Sequence, residues 1–349
     1  MQAILAAFTD FYTYKLAEKV FGKASGRWAL FCQLLSWFVF FSAPRTLSNN
    51  VEALLTVAAF YHYPYSPQAL SHRPSETRRH WVYVFVASLS AVMRPTAALQ
   101  FVPLVVNHLM YIFEIARQKP SRAVLICLRL GATASLVLYA SIWLDSWFYG
   151  RWTFSAWNFA YVNVLRGVGS FYGTHPWHWY FTQGIPVVFS ALLLPVLFGM
   201  WQCRKWPLLQ ITIGFTVITY SLLSHKEFRF IYGIVPLAMV LAGTGMATIW
   251  QNLARDDGRR HWLANALLCL LLISNLPLAA YTSLVHQRGT LDVMRLVHTH
   301  AMDQIKHHRK PDVLFLMPCH STPYYRFVSF NLMMMGMIPF ILFTLATFI

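Results

Sequence analysis

Charged residues, and acidic ones above all, are scarce in this sequence. Asp, Glu, Lys and Arg make up 11% of the 349 residues, whereas soluble globular proteins carry about 25%. Only 12 residues are acidic, against 28 that are Lys or Arg. Hydrophobic residues make up 57% of the chain and gather in runs of near-membrane length. This composition argues against an ordinary soluble domain and predicts a polytopic membrane protein.

Several sequence signals are also missing. The five cysteines are scattered without a CxxC pair, and the chain has no Asn-x-Ser/Thr sequon. We therefore expect no disulfide framework and no cysteine zinc site. The first residues do not read as a signal peptide. The net charge of +16 lies in short clusters between apolar runs, which is typical of membrane topology, so we expect no nucleic-acid partner.

The basic clusters predict the topology. Short loops rich in Lys and Arg stay in the cytoplasm, so an even number of crossings must separate each cluster from the next. The apolar runs that we assign to crossings are 28–43, 51–63, 81–93, 98–113, 123–144, 185–201, 207–223, 230–250, 262–282 and 328–349. The predicted organisation is a helical bundle over 1–282 with a loop at 145–184, a non-cytoplasmic segment at 283–327 and an apolar C-terminal segment at 328–349.

This count places the unusual polar segments on the non-cytoplasmic side. They are 43–50, 93–97, 145–184, 224–230 and 283–326. Proline disfavours helix at the preceding residue, so we expect a break at Met93–Ala97 and a return into the bundle beyond it. A bundle with its polar motifs gathered at one face indicates an enzyme or a transporter more than a scaffold.

The sequence SHKEFR, 224–229, concentrates ionisable side chains beside an apolar run. On a helix, His225 and Arg229 would share a face. One interpretation is an interfacial anchor, since Lys and Arg often extend to the water at helix ends. The other is an anion site, in which His225, Lys226 and Arg229 bind a phosphate and Glu227 orients them. Arg45 and Arg94, at the outer ends of two predicted hairpins, are further candidates for this site, and Glu52 is the expected partner of Arg45.

The segment 155–186 is crowded with Trp, Tyr and His. An interfacial aromatic belt is one interpretation, and a binding surface for sugars or lipid headgroups is the other. The polar candidates for acceptor binding are Asn158, His175, His178 and Gln183. His175 and His178 lack further ligands at a suitable spacing, so we expect no metal and no cofactor. Val313–Met317 is predicted to be a short strand.

Four motifs together resemble a known family. SHKEFRFIYGIVPL, 224–237, is similar to the His-Lys-Glu-x-Arg-Phe signature of the endoplasmic-reticulum mannosyltransferases that use dolichyl-phosphate-mannose, glycosyltransferase family 22. PRTLSNNVEALL, FYGTHPWHWYFTQGIP and LMPCHSTPYY resemble the members that add the third mannose to the GPI-anchor precursor in α-1,2 linkage. The resemblance covers the chain from about Ala6 to about Tyr325.

The resemblance implies an all-α multi-spanning bundle of the GT-C glycosyltransferase type, embedded in the endoplasmic-reticulum membrane with a lumenal active face. It implies a dolichyl-phosphate-mannose donor and a GPI precursor glycolipid acceptor, with membrane lipids around the bundle. By this reading the basic cluster stabilises the phosphate leaving group.

Two departures from the family pattern carry further expectations. Family members begin with another membrane segment and a lumenal loop that bears the acidic base, and this chain starts beyond that loop. After Tyr325 it departs from the pattern again. We therefore expect a chain shortened at both ends, with little transfer activity, in which Asp145 is the one candidate for a substitute base. The alternatives are a lipid or solute transporter and a non-catalytic subunit or isoform.

Overall fold

The structure is a computed structural model that describes residues 1–65, 74–203, 207–254, 261–286, 288–307, 313–316 and 340–343. The chain divides into two compact units, Met1–Ala279 and Ala280–Ile349. The cavity discussed below lies in the first unit.

The described residues form fourteen α-helices and two short strands. The helices are α1 (Gln2–Phe21), α2 (Lys23–Leu35), α3 (Trp37–Ser42), α4 (Ser48–His62), α5 (Pro74–Met93), α6 (Ala98–Gln118), α7 (Pro120–Tyr149), α8 (Ser155–Ala160), α9 (Ile185–Phe189), α10 (Leu193–Gln202), α11 (Pro207–Leu222), α12 (Val235–Ala254), α13 (His261–Leu284) and α14 (Gly289–Lys306). The strands are β1 (Val313–Leu316) and β2 (Phe340–Phe343).

Five helical stretches among the described residues are long and apolar enough to cross a membrane. They are Pro95–Gln118, Pro120–Tyr149, Tyr180–Gln202, Phe228–Asn252 and Trp262–Leu284. Two shorter apolar helices, Trp81–Met93 and Pro207–Leu222, add to them. These seven stretches coincide with seven of the ten predicted crossings. The all-α polytopic architecture predicted from the sequence is confirmed.

α12 is the centre of the first unit. In the most apolar stretch of the span Phe228–Asn252, which contains most of α12, 89% of the residues are buried. α12 packs against α2 and α10. Glycine permits both contacts: a Cβ on Gly243 would lie 2.4 Å from the backbone nitrogen of Ala29, and a Cβ on Gly199 would lie 1.9 Å from the carbonyl oxygen of Leu241. No side chain fits at either position, so the backbones of α2, α12 and α10 approach one another closely.

α1 is a helix of the bundle that precedes the first predicted crossing, 28–43. It is a helix of 20 residues, about 30 Å long, that packs against α2 and α4. Asn50, at the start of α4, donates a hydrogen bond to Gln2, at the start of α1. Lys19, near the end of α1, donates to the carbonyl oxygens of Tyr61 and Tyr63 at the end of α4. The two helices therefore run side by side in the same direction. Lys19 satisfies carbonyl groups that the end of α4 leaves without helical partners.

The break predicted at Met93–Ala97 is present. α5 ends at Met93, Pro95–Ala97 forms one 3₁₀ turn, and α6 begins at Ala98. Pro95 stands at the first position of the turn, where an N–H would have no helical partner, so its lack of an N–H costs no hydrogen bond. The preceding Arg94 is extended, with φ −142° and ψ 105°. The break sets Arg94 on the connection between the two helices.

The predicted loop at 145–184 is partly helical. α7 continues to Tyr149, so Asp145 lies inside a helix. After α8 the chain forms one π turn at Tyr161–Leu165, one 3₁₀ turn at Val168–Tyr172 and a second π turn at Tyr180–Gly184. Gly173 ends the 3₁₀ turn with φ +105°, a conformation that is natural only for glycine.

The chain beyond Lys306 is described in two short pieces. β1 begins at the residue where a strand was predicted, and it pairs in parallel with β2. The predicted crossing at 328–349 is wrong for Phe340–Phe343, because these residues form β2; the rest of that run lies outside the described residues. The motif LMPCHSTPYY also lies outside them, apart from Leu316.

Candidate active site

Two adjoining chambers form a cavity where α4, α5, α6, α8 and α11 end or begin. The polar chamber, of about 390 Å³, includes Arg94, Glu227 and Arg229 among its lining residues. The apolar chamber, of about 380 Å³, adds Tyr220, Leu222 and Leu223. Arg94, Thr96, Phe159, Asn163, Gly169, His225 and Phe230 line both chambers. The cavity therefore has Arg94 and His225 at its centre, with Glu227 and Arg229 on one side and apolar residues on the other.

Glu227 holds two of the basic side chains in place. Its Oε1 lies 3.0 Å from Nε2 of His225 and accepts a 2.9 Å hydrogen bond from Nη2 of Arg229, while its Oε2 pairs with Nε of Arg229. The predicted helical face shared by His225 and Arg229 is absent, because residues 225–227 are not helical and a 3₁₀ helix begins only at Phe228. Glu227, rather than helical spacing, brings these two residues together.

The electrostatics of Glu227 follow from these contacts. Partial burial raises the pKa of the Glu227 carboxyl, but the hydrogen bonds and positive charges of Arg229 and His225 outweigh this effect and leave the pKa below its ordinary value. A carboxylate with a lowered pKa is a weak base. Glu227 is therefore suited to orient the two basic residues rather than to remove a proton from a hydroxyl group.

Arg94 reaches the cavity from a buried polar network. Its Nε lies 2.8 Å from Oε2 of Glu52, whose side chain is completely buried, whereas the side chain of Arg94 is 18% exposed. Nη1 of Arg94 donates to Ser48 and Asn49 at 2.8 and 3.2 Å. Gln100 donates a 2.6 Å hydrogen bond to the other oxygen of Glu52. The expectation that Glu52 pairs with Arg45 is wrong, because the break after α5 brings Arg94 to Glu52 instead.

Asn49 connects the two arginines. Its Nδ2 donates to the backbone carbonyl of Arg229 at 2.8 Å and to Oε2 of Glu52 at 3.2 Å, while its Oδ1 accepts from Arg94. Every polar atom of the Asn49 side chain is thereby engaged. The two guanidinium groups consequently belong to one hydrogen-bonded framework, although they come from distant parts of the chain.

Two of the predicted phosphate ligands do not line the cavity. Lys226 is 3% exposed, and its Nζ donates to the backbone carbonyls of His175, at 2.9 Å, and Leu223. Burial lowers the pKa of the Lys226 ammonium group. Arg45 donates from Nε to the carbonyl of Phe41, and its guanidinium carbon lies 3.7 Å from the centre of the Phe41 ring. Of the five predicted basic residues, the structure gathers His225, Arg229 and Arg94.

The predicted acceptor residues are also displaced from the cavity walls. Asp145, the candidate base, accepts a 3.0 Å hydrogen bond from the backbone N–H of Ser155 and does not line either chamber. Neither do the four acceptor candidates, Asn158, His175, His178 and Gln183. The ring of His175 stacks on Trp179, with ring centres 4.7 Å apart, and His178 lies 3.4 Å from the hydroxyl of Thr182.

The same stretch of chain reaches the cavity through other residues. Phe159, Asn163 and Gly169 line both chambers. A Cβ on Gly169 would lie 3.6 Å from Cβ of His225, so the backbone runs directly against the basic motif. Sequence reasoning missed Asn163. It did expect a partner for Glu52, since a carboxylate in an apolar helix needs one, but it named Arg45 where the structure has Arg94.

The residues that the structure describes contain no group of three His, Cys, Asp or Glu side chains close enough to hold a metal ion. Chemically, the arrangement offers the guanidinium groups of Arg94 and Arg229 to an anion, with the ring of His225 held beside them by Glu227 and by the carbonyl of Gly173. It offers an apolar chamber to a chain attached to that anion. Arginine binds phosphate oxygens through paired N–H donors.

The sequence profile of the Alg9-like mannosyltransferase family matches residues 1–329. The chain is 42% identical over 327 residues to GPI alpha-1,2-mannosyltransferase 3 of Danio rerio, covering 93% of this chain and 56% of that protein. With the Xenopus laevis protein of the same name it shares 38% identity, over 94% of this chain and 56% of that one. The chain thus spans about half the length of the curated relatives it matches.

Among solved structures, ArnT from Cupriavidus metallidurans in the apo state superimposes with a TM-score of 0.55 and 12% identity, covering 93% of this chain and 69% of ArnT. This likeness concerns the fold alone, which is of the GT-C glycosyltransferase type. The profile match extends across both chambers of the cavity, from Ser48 to Phe230. The chain belongs to the Alg9-like mannosyltransferase family.

Proposed function

We propose that this chain carries the donor site of an enzyme that transfers mannose from dolichyl-phosphate-mannose to the GPI-anchor precursor. The transfer adds the third mannose in α-1,2 linkage, at the lumenal face of the endoplasmic-reticulum membrane. Family membership and the names of the relatives support the reaction class. The observation that carries the proposal is the cavity, in which two arginines and a histidine adjoin an apolar chamber.

Each chamber suits one part of this donor. The polar chamber would hold the phosphodiester between Arg94 and Arg229, and the apolar chamber, lined by Tyr220, Leu222 and Leu223, would hold the first isoprene units. As the sugar leaves, negative charge develops on the phosphate, and fixed guanidinium groups stabilise it without reorganisation. Glu52 and Glu227 keep the two guanidinium groups in place before the donor arrives.

The acceptor would approach along the 155–184 segment. Phe159 and Asn163 line both chambers, and an aromatic face beside an amide suits a sugar ring and its hydroxyl groups. Among the described residues, Glu227 contributes a carboxylate to the cavity wall, and His225 and Arg229 engage it. We therefore assign Glu227 an orienting role, and the catalytic base is another group.

The donor is tested by binding, with the purified full chain in detergent and citronellyl phosphate as a short polyprenyl phosphate. We expect Arg94→Ala and Arg229→Ala each to weaken binding at least about tenfold, because each removes a charge-assisted pair of hydrogen bonds. Arg229→Lys should weaken it less, since the charge remains without the fork. Arg45→Ala is the matched control and should bind as the wild type does.

The class of donor is tested by competition. Citronellyl-phosphate-mannose should displace the probe, and GDP-mannose should not, because a nucleotide does not suit the apolar chamber. Equal displacement by GDP-mannose, or equal losses in Arg45→Ala and Arg229→Ala, would contradict the proposed donor site. For the acceptor, a dimannosyl glycosylinositol should bind to the probe-saturated chain more tightly than its monomannosyl form does; the reverse order would contradict the third-mannose assignment.

A further inference from the structure

The most conspicuous cation that the cavity does not use is Lys226. It stands between His225 and Glu227, which both line the cavity, yet its ammonium group is buried against backbone. Its Nζ donates to two backbone carbonyl oxygens, those of His175 and Leu223. A lysine is among the residues least often buried without a carboxylate partner, so this placement requires a reason.

Leu223 supplies half of that reason. α11 ends at Leu222, and the last carbonyl groups of a helix lack intrahelical partners. A cation at this end interacts favourably with the exposed carbonyls and with the helix dipole. The ammonium group of Lys226 therefore caps the C-terminal end of α11 with one hydrogen bond and has further N–H donors to use elsewhere.

His175 supplies the other half, because it belongs to the 155–184 segment. Lys226 donates to its carbonyl oxygen, and the backbone N–H of His175 donates to the carbonyl of Ser224 at 3.0 Å. The His175 peptide groups are thus bonded on both sides to the 223–226 connection. Two hydrogen bonds at one residue fix both the distance between the two backbone segments and their alignment along the chain.

Neighbouring contacts complete the attachment. Nδ1 of His225 lies 2.9 Å from the carbonyl oxygen of Gly173, and the hydroxyl of Tyr180 donates to the carbonyl of Glu227 at 3.1 Å. Trp179, 5% exposed, lies between the rings of His175 and Phe228. Residues 173–180 and 223–228 therefore form one fastened pair of segments, with Lys226 as the buried polar centre.

We infer that Lys226 is a positioning residue, which fastens the 155–184 segment to the end of α11 and thereby holds Asn163 and Gly169 against the cavity. It does not bind the phosphate. Arg229 has the converse role, because its guanidinium pairs with Glu227 and lines the polar chamber. Of these two basic residues in one short motif, Lys226 thus attaches one segment to another, and Arg229 binds the phosphate.

The two roles are separated by comparing Lys226→Met, which keeps the length and removes the donors, with Arg229→Ala. Amide hydrogen exchange of the full chain in detergent is measured over 173–183 and, as an internal control, over α12. We expect Lys226→Met to accelerate exchange over 173–183 at least about tenfold and to leave α12 protected. Its affinity for citronellyl phosphate should change less than about threefold. Lys226→Arg, which keeps donors and charge, should restore part of the protection.

Arg229→Ala should give the opposite pattern, with lost phosphate affinity and unchanged exchange over 173–183. A Lys226→Met variant that loses phosphate affinity as Arg229→Ala does, or that leaves the exchange unchanged, would overturn the inference. So would loss of protection throughout the chain, since the attachment would then not be local. Only the phosphate comparison rests on the proposed function: if Arg229→Ala keeps full affinity, the donor site fails, while the exchange result still decides the role of Lys226.

Discussion

Replacing Glu52 with glutamine should destabilise the protein much more than the same replacement at Glu227. Both carboxylates pair with an arginine of the cavity, but Glu52 is completely buried, whereas the side chain of Glu227 is 31% exposed and that of its partner Arg229 is 50% exposed. The two substitutions therefore remove the same charge from pairs that differ mainly in burial.

The magnitude follows from what Glu52 accepts. Gln100 and Asn49 donate to its oxygens at 2.6 and 3.2 Å, and Nε of Arg94 lies 2.8 Å away. An amide has one acceptor oxygen, and its NH₂ group would face donors. Removing one partner of a buried pair costs about 3–5 kcal/mol; because Arg94 is partly exposed to the cavity, we expect about 2–3 kcal/mol for Glu52→Gln. For Glu227→Gln we expect less than about 1 kcal/mol, as for exposed pairs.

The free energy of unfolding can be measured by titrating SDS into mixed micelles. The double variant Glu52→Gln/Arg94→Gln should recover part of the loss, because it leaves no uncompensated charge in the network. Equal losses in Glu52→Gln and Glu227→Gln would refute the reasoning, as would a double variant whose loss equals the sum of the single losses.

Three further predictions concern charge and backbone. The pKa of Glu227 is lowered in the folded state. Its contribution to stability is therefore complete above the ordinary pKa of about 4.3 and is lost as the pH falls through the lower pKa of the folded state. The free energy of unfolding, measured against pH, should show this acidic decline in the wild type and lack it in Glu227→Gln. Gly173→Ala should destabilise the protein by about 1–3 kcal/mol because of its positive φ, whereas Gly131→Ala, in open space within α7, should not. Thermal unfolding should show Gly243→Ala to be strongly destabilised through its contact with α2. Gly214→Ala, with nothing near its Cβ position, should behave as the wild type. A stable Gly243→Ala would contradict the close packing.

Hydropathy and proline placement predicted the spans well, because both act locally. The crossings at 98–113 and 230–250 and the break at Met93–Ala97 are where the residues alone put them. No crossing was assigned to α1, because Lys15 and Lys19 interrupt its apolar residues. What makes it part of the bundle is a buried face, in which Leu16 and Ala17 are completely buried.

The candidate site was predicted at the level of segments and less well at the level of side chains. The crossing count brought 43–50, 93–97 and 224–230 to one face, and Ser48, Arg94 and Arg229 do line one cavity. The role of Lys226 could not be read locally, because it depends on which carbonyl groups the end of α11 and a distant segment leave unsatisfied. Whether Arg45 or Arg94 pairs with Glu52 likewise depends on the path of the chain between helices.

The position of α12 has a consequence for how the protein is assembled. Both helices that it contacts through glycine, α2 and α10, precede it in the chain, so they are synthesised before it. α12 must first be apolar enough to partition into lipid by itself, and only afterwards exchange lipid for protein on nearly every side. Its sequence meets the first requirement with Leu, Val and Met and the second with Gly243 and Gly245. The close backbone contacts at Gly199 and Gly243 therefore form only after α12 has been synthesised.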